Sequence, residues 1–374
     1  MKEIINLRHH LHRHPELSNR DSETAATIDR FMDPLNPDRI IKVGSHGRIY
    51  VFDGAGSGRT TLFRAELDAL PISDESGKAY SSRRSGISHA CGHDGHMSIL
   101  AGLAVRIAKS RPSRGRVGLL FQPAEEVEQG ARDVVQDARF REIEPDAIFA
   151  LHNIPGIPLH HLVTRPGSFA SASKGMVISL TGRSSHAGEP EKGINPATAM
   201  ARIIQEVDKL NRETALFAAT AFATVIHLRL GEVAHGTSPG EAEIRLTLRS
   251  FQNRDMEILT GRVEELVKNI ALAEKLHHVF STTEVFPATV NDSACISMIK
   301  KAARQQRIPL TIRDEPFRWS EDFGYYGKIA KTAFFGIGSG INHPALHNPD
   351  YDFPDDIIIP GIKMYQSIIN FYCK

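Results

Sequence analysis

Between Ser88 and His96 the chain reads Ser-His-Ala-Cys-Gly-His-Asp-Gly-His, which sets a thiol, imidazoles and a carboxylate within a few residues. Cys91 and His93, two residues apart, offer a soft sulfur and a borderline nitrogen, a donor mix suited to divalent zinc, manganese or cobalt. Gly92 and Gly95 permit tight backbone there, and a helix is expected to begin just beyond. A surface histidine turn beside a buried cysteine would account for any one of these residues, but poorly for four groups in six positions. A second candidate is Phe121-Gln122-Pro123-Ala124-Glu125-Glu126, at the end of an apolar run. Adjacent carboxylates at the tip of a sheet strand lie where open α/β sheets bind ligands. One can ligate a metal while its neighbour acts on water as general base. The competing account is an acidic first turn that complements the dipole of a following helix. Leu151-His152-Asn153 follows another apolar strand, and His343 and His347 follow the run Thr332–Gly336. Each histidine alone would suit a structural hydrogen bond. Converging on one sheet edge, Cys91, His93, Glu125, Glu126, His152 and His347 provide enough ligands for two metals. None of this matches the His-Glu-x-x-His pattern of a helical zinc protease.

The elements that must position these residues follow from periodicity. Ala25, Ile28, Phe31, Met32 and Leu35 fall at helical spacing. Ile49–Phe52 and Thr61–Phe63 are β-prone, and the glycine-rich Asp53–Gly58 between them reads as the turn of a hairpin. A phosphate loop would have to open a helix, and here a strand follows. Helices are expected over about 95–110 and 129–138, with strands at 117–121 and 147–151, an α/β alternation that predicts a mostly parallel or mixed sheet. After Lys174 the texture changes. Strands near 176–181, 222–230 and 242–248 alternate apolar and polar residues, a β-prone run covers 279–286, and helices lie near 196–210 and 256–270. The order β-α-β-β-α-β predicts a split βαβ, ferredoxin-like α+β unit over 174–287, inserted into an α/β domain formed by 1–173 and 288–374. A final helix is expected over about 355–372. Gly236-Thr237-Ser238-Pro239-Gly240 satisfies the Gly-x-Ser-x-Gly pattern of a serine-hydrolase elbow. Proline follows the serine, so the oxyanion-donating N–H is missing, and a strand follows instead of a helix; the motif is rejected.

Composition narrows the function classes. The 374 residues carry 45 Lys+Arg against 44 Asp+Glu, so a formal net charge of +1 gives no broad field for nucleic acid or a membrane surface. No apolar run reaches a membrane span, and the N-terminal residues lack the apolar core of a signal peptide. Cys91, Cys295 and Cys373 are odd in number and widely spaced, which reads as thiols in a reducing, cytoplasmic compartment. The expectation is a globular enzyme with a small-molecule substrate.

Several stretches together resemble the metal-dependent aminoacylase and hippurate-hydrolase group, which includes the auxin–amino acid conjugate hydrolases. They are Leu11-His12-Arg13-His14-Pro15-Glu16, Arg64-Ala65-Glu66-Leu67-Asp68-Ala69-Leu70-Pro71, His89 to His96, Phe121 to Glu126, Gly182-Arg183-Ser184-Ser185-His186-Ala187, Gly193-Ile194-Asn195-Pro196, Ser320-Glu321-Asp322-Phe323 and His347-Asn348-Pro349. The resemblance implies a zinc-peptidase-like catalytic domain whose inserted unit mediates homodimerisation. It implies Cys91, His93, Glu126, His152 and His347 as ligands of two divalent ions (zinc or manganese, with cobalt or nickel as options) and Glu125 as general base. His186 would reach the partner's active site, and Arg249 would meet the substrate carboxylate. Glu66 stands where the group usually has Asp, and Gly236-Thr237-Ser238-Pro239 replaces its Asn-Val-Ile-Pro. His9, His10, His160 and His161 match none of its ligands and read as solvated. The expected reaction is hydrolysis of an N-acyl amino acid to a carboxylate and a free amino acid, with a dipeptidase or small carboxypeptidase as the alternative.

Overall fold

A computed structural model describes residues 1–373 of the chain. Two compact units emerge, one from Met1–Phe169, Thr289–Pro316 and Asp322–Lys374, the other from Ala170–Ala288 and Phe317–Glu321; Lys374 itself lies outside the described residues. The fold class is the expected one, α/β with a mixed sheet and an inserted α+β unit.

The first unit is built on an eight-stranded sheet. In spatial order its strands are Arg39–Val43, Gly47–Asp53, Arg114–Gln122, Gly56–Glu66, Ala147–Pro155, Lys331–Gly340, Leu162–Thr164 and Leu310–Ile312. The four strands Arg114–Gln122, Gly56–Glu66, Ala147–Pro155 and Lys331–Gly340 run parallel to their neighbours within that group, so their carboxyl ends share one edge. These strands are apolar almost throughout, as strands covered on both faces must be. Phe63, Phe149, Leu119 and Phe335 join Ile99, Leu100 and Leu103 of the helix His93–Lys109, and Tyr365 and Ile368 of the helix Ile358–Tyr372, in a single apolar core.

One expectation fails. Gly47–Asp53 and Gly56–Glu66 do not form a hairpin; Arg114–Gln122 lies between them, antiparallel to the first and parallel to the second. The glycines serve close backbone approach instead of a tight reversal. A Cβ on Gly54 would sit 2.8 Å from the Arg114 and Pro112 backbone, and one on Gly58 would sit 2.7 Å from the Gly115 nitrogen. Sequence adjacency favours pairing, but here the apolar run 117–121 competes for both strands and wins.

In the second unit the strands Ala172–Thr181, Ala221–Leu230, Glu241–Ser250 and His277–Phe286 form an antiparallel sheet, with Glu241–Ser250 and Ala172–Thr181 in the middle. Helices Ala197–Leu210 and Asn253–Ala273 pack on one face and close a separate core with Ile178, Leu180, Ile244, Leu246 and Leu248. This is the β-α-β-β-α-β arrangement read from the alternation. Ser238, the serine of the rejected elbow, lies in the two-residue strand Thr237–Ser238 paired with Ser185–His186, and accepts a hydrogen bond from Asn195 Nδ2 at 3.1 Å.

Candidate metal centre

Several of the site residues arrive from the carboxyl ends of the parallel strands. Gln122 leads into Glu125 and Glu126, Glu66 leads into Asp68, and His152 sits near the end of Ala147–Pro155. The helix His93–Lys109 opens at the same place. Its N-cap, Gly92, has φ +88°, and a Cβ there would approach the Asn153 amide to 2.6 Å, so only glycine fits. This turn brings Cys91 and His93 to the same cluster. His347 enters from a turn at φ +63° and is anchored by its own N–H donating to Ala90 C=O at 2.9 Å.

The groups form overlapping sets. Donor atoms of Cys91, His93 and His152 lie within 4.8 Å of one another, as do those of Cys91, Glu126 and His347, and those of His93, Glu125 and Glu126. Cys91 thus belongs to two sets, and its Sγ is 3.4 Å from His152 Nε2. His93 Nε2 lies 3.7 Å from Glu126 Oε1 and 4.0 Å from Glu125 Oε2, while His347 Nε2 lies 3.8 Å from Glu126 Oε2. All five expected ligands and Glu125 are therefore brought together in the first unit. His186 and Arg249 belong to the second unit: His186 is exposed, and its Nδ1 accepts from Gly188 N–H at 3.0 Å.

The ring orientations suit metal ligation. His93 donates Nδ1–H to Asp68 C=O and His152 donates Nδ1–H to Asn153 C=O, both at 2.8 Å. Each histidine is thereby held in the tautomer whose Nε2 is a lone-pair donor facing the cluster. His93 Nε2 is buried and makes no hydrogen bond among the described residues, and the flanking carboxylate oxygens stand too far off to supply one. Separations of this size fit donors that each lie about 2 Å from a shared ion. The electrostatics agree. Burial disfavours a charge on His93, but Glu66, Glu126 and Asp68 overcome it and raise its pKa to about 9; with no cation present Nε2 holds a proton, and a bound cation would take that proton's place against the same carboxylates. Burial holds His152 well below the usual imidazole range, leaving it neutral as a ligand must be.

A supporting layer, only partly visible in the motifs, fixes this cluster. Asp68 Oδ2 accepts from Glu126 N–H at 3.0 Å and from Ser18 Oγ at 2.7 Å. His96 links Glu66 (Nδ1 to Oε2, 2.7 Å) to Asn153 (Nε2 to Oδ1, 2.5 Å), and Asn153 Nδ2 donates to the Tyr351 hydroxyl. Glu66 is also paired with the buried Arg64, whose Nη2 is 2.6 Å from Asp322 Oδ1. The Glu that departs from the usual Asp is thus a tether between a guanidinium and an imidazole. Asp94 ties the helix start to the N-terminal helix, accepting from Arg8 Nη1 at 3.1 Å and from His12 Nδ1 at 2.9 Å. Asp68, Asn153 and Asp322 sat inside or beside the quoted motifs, but their types named no role. Of the histidines expected in solvent, His10 is exposed, but His9 is not: it stacks on Tyr80 at 3.7 Å and meets Asp355 at 2.9 Å. His160 and His161 are half-buried, and His161 Nε2 bonds Thr311 Oγ1 at 2.8 Å.

Residues 62–370 match the profile of peptidase family M20/M25/M40. The chain belongs to peptidase family M20. As an M20 protein it is a metal-dependent hydrolase of amide or peptide bonds. It is 28% identical to an uncharacterised hydrolase of Staphylococcus aureus (strain USA300), with 98% of this chain and 97% of that one covered. It is 26% identical to a hippurate hydrolase of Campylobacter jejuni, covering 100% of this chain and 97% of the relative. Among solved structures, a dinuclear metal binding peptidase of family M20 from Bacillus subtilis superposes with a TM-score of 0.86 at 24% identity, covering 100% of this chain and 98% of the other.

Proposed function

We propose that this M20 enzyme hydrolyses the amide bond of N-acyl amino acids, hippurate-like or N-acetylated, giving a carboxylate and a free amino acid. The observation that carries the reading is the pair Glu125 and Glu126 at one strand end. Glu126 stands between His93 and His347, and Glu125 faces His93 from the side. Cys91, His93, Glu126, His152 and His347 would hold two divalent ions, with zinc and manganese the best match to the donors and cobalt or nickel able to substitute. Bound there, the ions supply Lewis acidity to a carbonyl oxygen and lower the pKa of water. Glu125 takes the proton of the attacking water and later delivers it to the leaving amine, so that amide and water become acid and amine. His186, from a second copy of the chain, donates to the oxyanion as it develops. Arg249 holds the substrate carboxylate through its guanidinium fork. The inserted unit is the homodimer contact in this reading, and the three buried thiols suit a reducing, cytoplasmic setting. Full-length similarity to a protein named hippurate hydrolase supports the substrate class.

The test is amine release from N-acyl amino acids, with dipeptides alongside, using protein reconstituted separately with zinc, manganese, cobalt and nickel. Cleavage of N-benzoyl- or N-acetyl-amino acids in preference to dipeptides is expected. Dipeptide cleavage with acyl amino acids untouched would select the dipeptidase or small-carboxypeptidase alternative, which uses the same residues. No cleavage of either after metal loading overturns the proposal.

A further inference from the structure

The second unit's sheet has two unlike faces. Ala223, Ile244, Leu246 and Leu248 point into the core beneath the helices. On the other face Phe222 lies directly opposite Arg249, and Thr224 opposite Thr247, across the strands Ala221–Leu230 and Glu241–Ser250. The segment Phe317–Glu321 belongs to this unit although it is distant in sequence. Ser171 N–H donates to the carbonyls of both Phe317 and Trp319, at 3.1 and 3.0 Å, and Arg249 Nη1 donates to Arg318 C=O at 2.8 Å and to Ser320 Oγ at 3.1 Å. Trp319 in turn stacks on Phe317, with ring centroids 4.9 Å apart and planes inclined by 25°. The indole and the guanidinium are therefore both held in place. They line a groove of about 520 Å³ together with Phe222, Ile226, Thr247 and Arg318. That volume is of small-molecule size. Its lining holds two guanidinium groups, three large apolar side chains and no carboxylate. Ile226, at 60% exposure, is apolar surface left wet at this groove.

We propose that this groove is a side-chain subsite: Arg249 takes the carboxylate of an amino acid, and Trp319, Phe222 and Ile226 take that same amino acid's large apolar or aromatic side chain. The inference rests on the reading of Arg249 as the carboxylate holder, and within the N-acyl amino acids it ranks derivatives of aromatic and large aliphatic amino acids ahead of hippurate-like derivatives of glycine. A guanidinium satisfies a carboxylate with two parallel hydrogen bonds. An indole face offers area without an unmet polar group, so an acidic or amide side chain lying on it would lose its water. A ligand with both parts covers the groove, whereas N-acylglycine leaves its apolar wall wet.

Trp319 is the chain's single tryptophan, so emission excited beyond the tyrosine absorption band reports this groove. Protein carrying Glu125→Gln, which is not expected to consume its ligand, is titrated with N-acetyl-L-phenylalanine, N-acetylglycine and N-acetyl-L-phenylalanine amide. The phenylalanine derivative should give a saturable change and bind about ten-fold or more tightly than the glycine one, the usual worth of burying such a side chain. The amide, lacking the carboxylate, should bind about ten-fold more weakly than the acid. Phe222→Ala should weaken the phenylalanine derivative selectively, and Arg249→Lys should weaken both acids. The ligand comparison itself needs no groove variant, so a poorly folding Phe222→Ala leaves the test intact. No tryptophan response, or equal affinity for all three compounds, overturns the subsite. If the tryptophan responds as expected but wild-type protein cleaves no acyl amino acid, the N-acyl amino acid reading of the hydrolase falls and the subsite stands. If acyl amino acids are cleaved without preference for bulky side chains and the fluorescence is silent, the subsite falls and the N-acyl amino acid reading stands.

Discussion

His93 and His152 are buried in the first unit, and each spends one ring nitrogen on a backbone carbonyl, which fixes the other toward Cys91 and the glutamates. His186, in the second unit, is exposed and bonds to the backbone of its own turn, two residues away. Arg249 is likewise braced by the short segment 317–321 and not by the core beneath its strand. The ligand candidates are thus pre-organised by the strand ends that also build the core, whereas the recognition candidates ride on the surface of a second, independent core. On the proposed roles, such a division would let the recognition candidates change without disturbing the ligand candidates. It also predicts that substitutions in the two regions will differ in kind, the first costing metal and stability, the second costing turnover or KM.

Chelation is the strongest way to break the comparison. Removing divalent ions should abolish activity and make Cys91 react with a thiol reagent, while the other buried cysteines, Cys295 and Cys373, stay silent. Protection of Cys91 that survives complete chelation would exclude it as a ligand. Next, His186→Ala should lower turnover by roughly 10²–10³-fold with metal content unchanged. Mixing it with Glu125→Gln protein should restore activity toward half the wild-type value per heterodimer, because one mixed site then has both groups intact. Heterodimers confirmed by mass spectrometry that regain nothing would place His186 in its own subunit's site or in none. Asp322→Asn should cost about 3–5 kcal/mol of stability, the usual penalty for breaking a buried charge pair, because Asp322 accepts from Arg64, Gln122 and Ala131 N–H. A melting temperature within a degree of wild type would show that the pair adds little.

The smallest effect concerns pH. Burial, with Asp68 and Glu16 nearby, raises the Asp21 carboxyl to about 7. Its folded pKa lies above its unfolded value near 3.8, so the fold favours the protonated form. The resulting penalty is absent at low pH, grows between about 4 and 7, and is complete above that. Asp21→Asn should therefore raise the urea midpoint at pH 8 and leave it unchanged near pH 4. Equal shifts at both pH values would mean that the effect comes from packing and not from ionisation.

Much of this arrangement is legible in the residues. Period-two alternation marked the central strands Ala172–Thr181 and Glu241–Ser250, because one face of each is buried and the other wet. In the edge strand Ala221–Leu230 the alternating set Phe222, Ile226, Leu228 and Leu230 is not the buried face; Ala221 and Ala223 turn to the core instead, and His277–Phe286 has no buried residue. The ligand candidates stood out because donor types cluster at the ends of apolar runs. What stayed hidden is non-local. The intrusion of Arg114–Gln122 between Gly47–Asp53 and Gly56–Glu66 depends on which strands compete for one edge, and no local pattern records that. The role of Phe317–Glu321 beside Arg249 is hidden for the same reason, since it is some seventy residues away in sequence and is joined by backbone carbonyls that any residue carries. His9 looked solvated because its partners Tyr80 and Asp355 lie far along the chain.

The central claim is that the neighbouring glutamates divide the work, Glu126 holding metal and Glu125 moving the proton. Elemental analysis of Glu125→Gln and Glu126→Gln, paired with turnover of an N-acyl amino acid, tests it most directly. The account predicts that Glu125→Gln keeps both ions and loses roughly 10²–10⁴-fold in kcat, while Glu126→Gln loses metal. Metal lost from Glu125→Gln with turnover largely retained would contradict it and exchange the two roles.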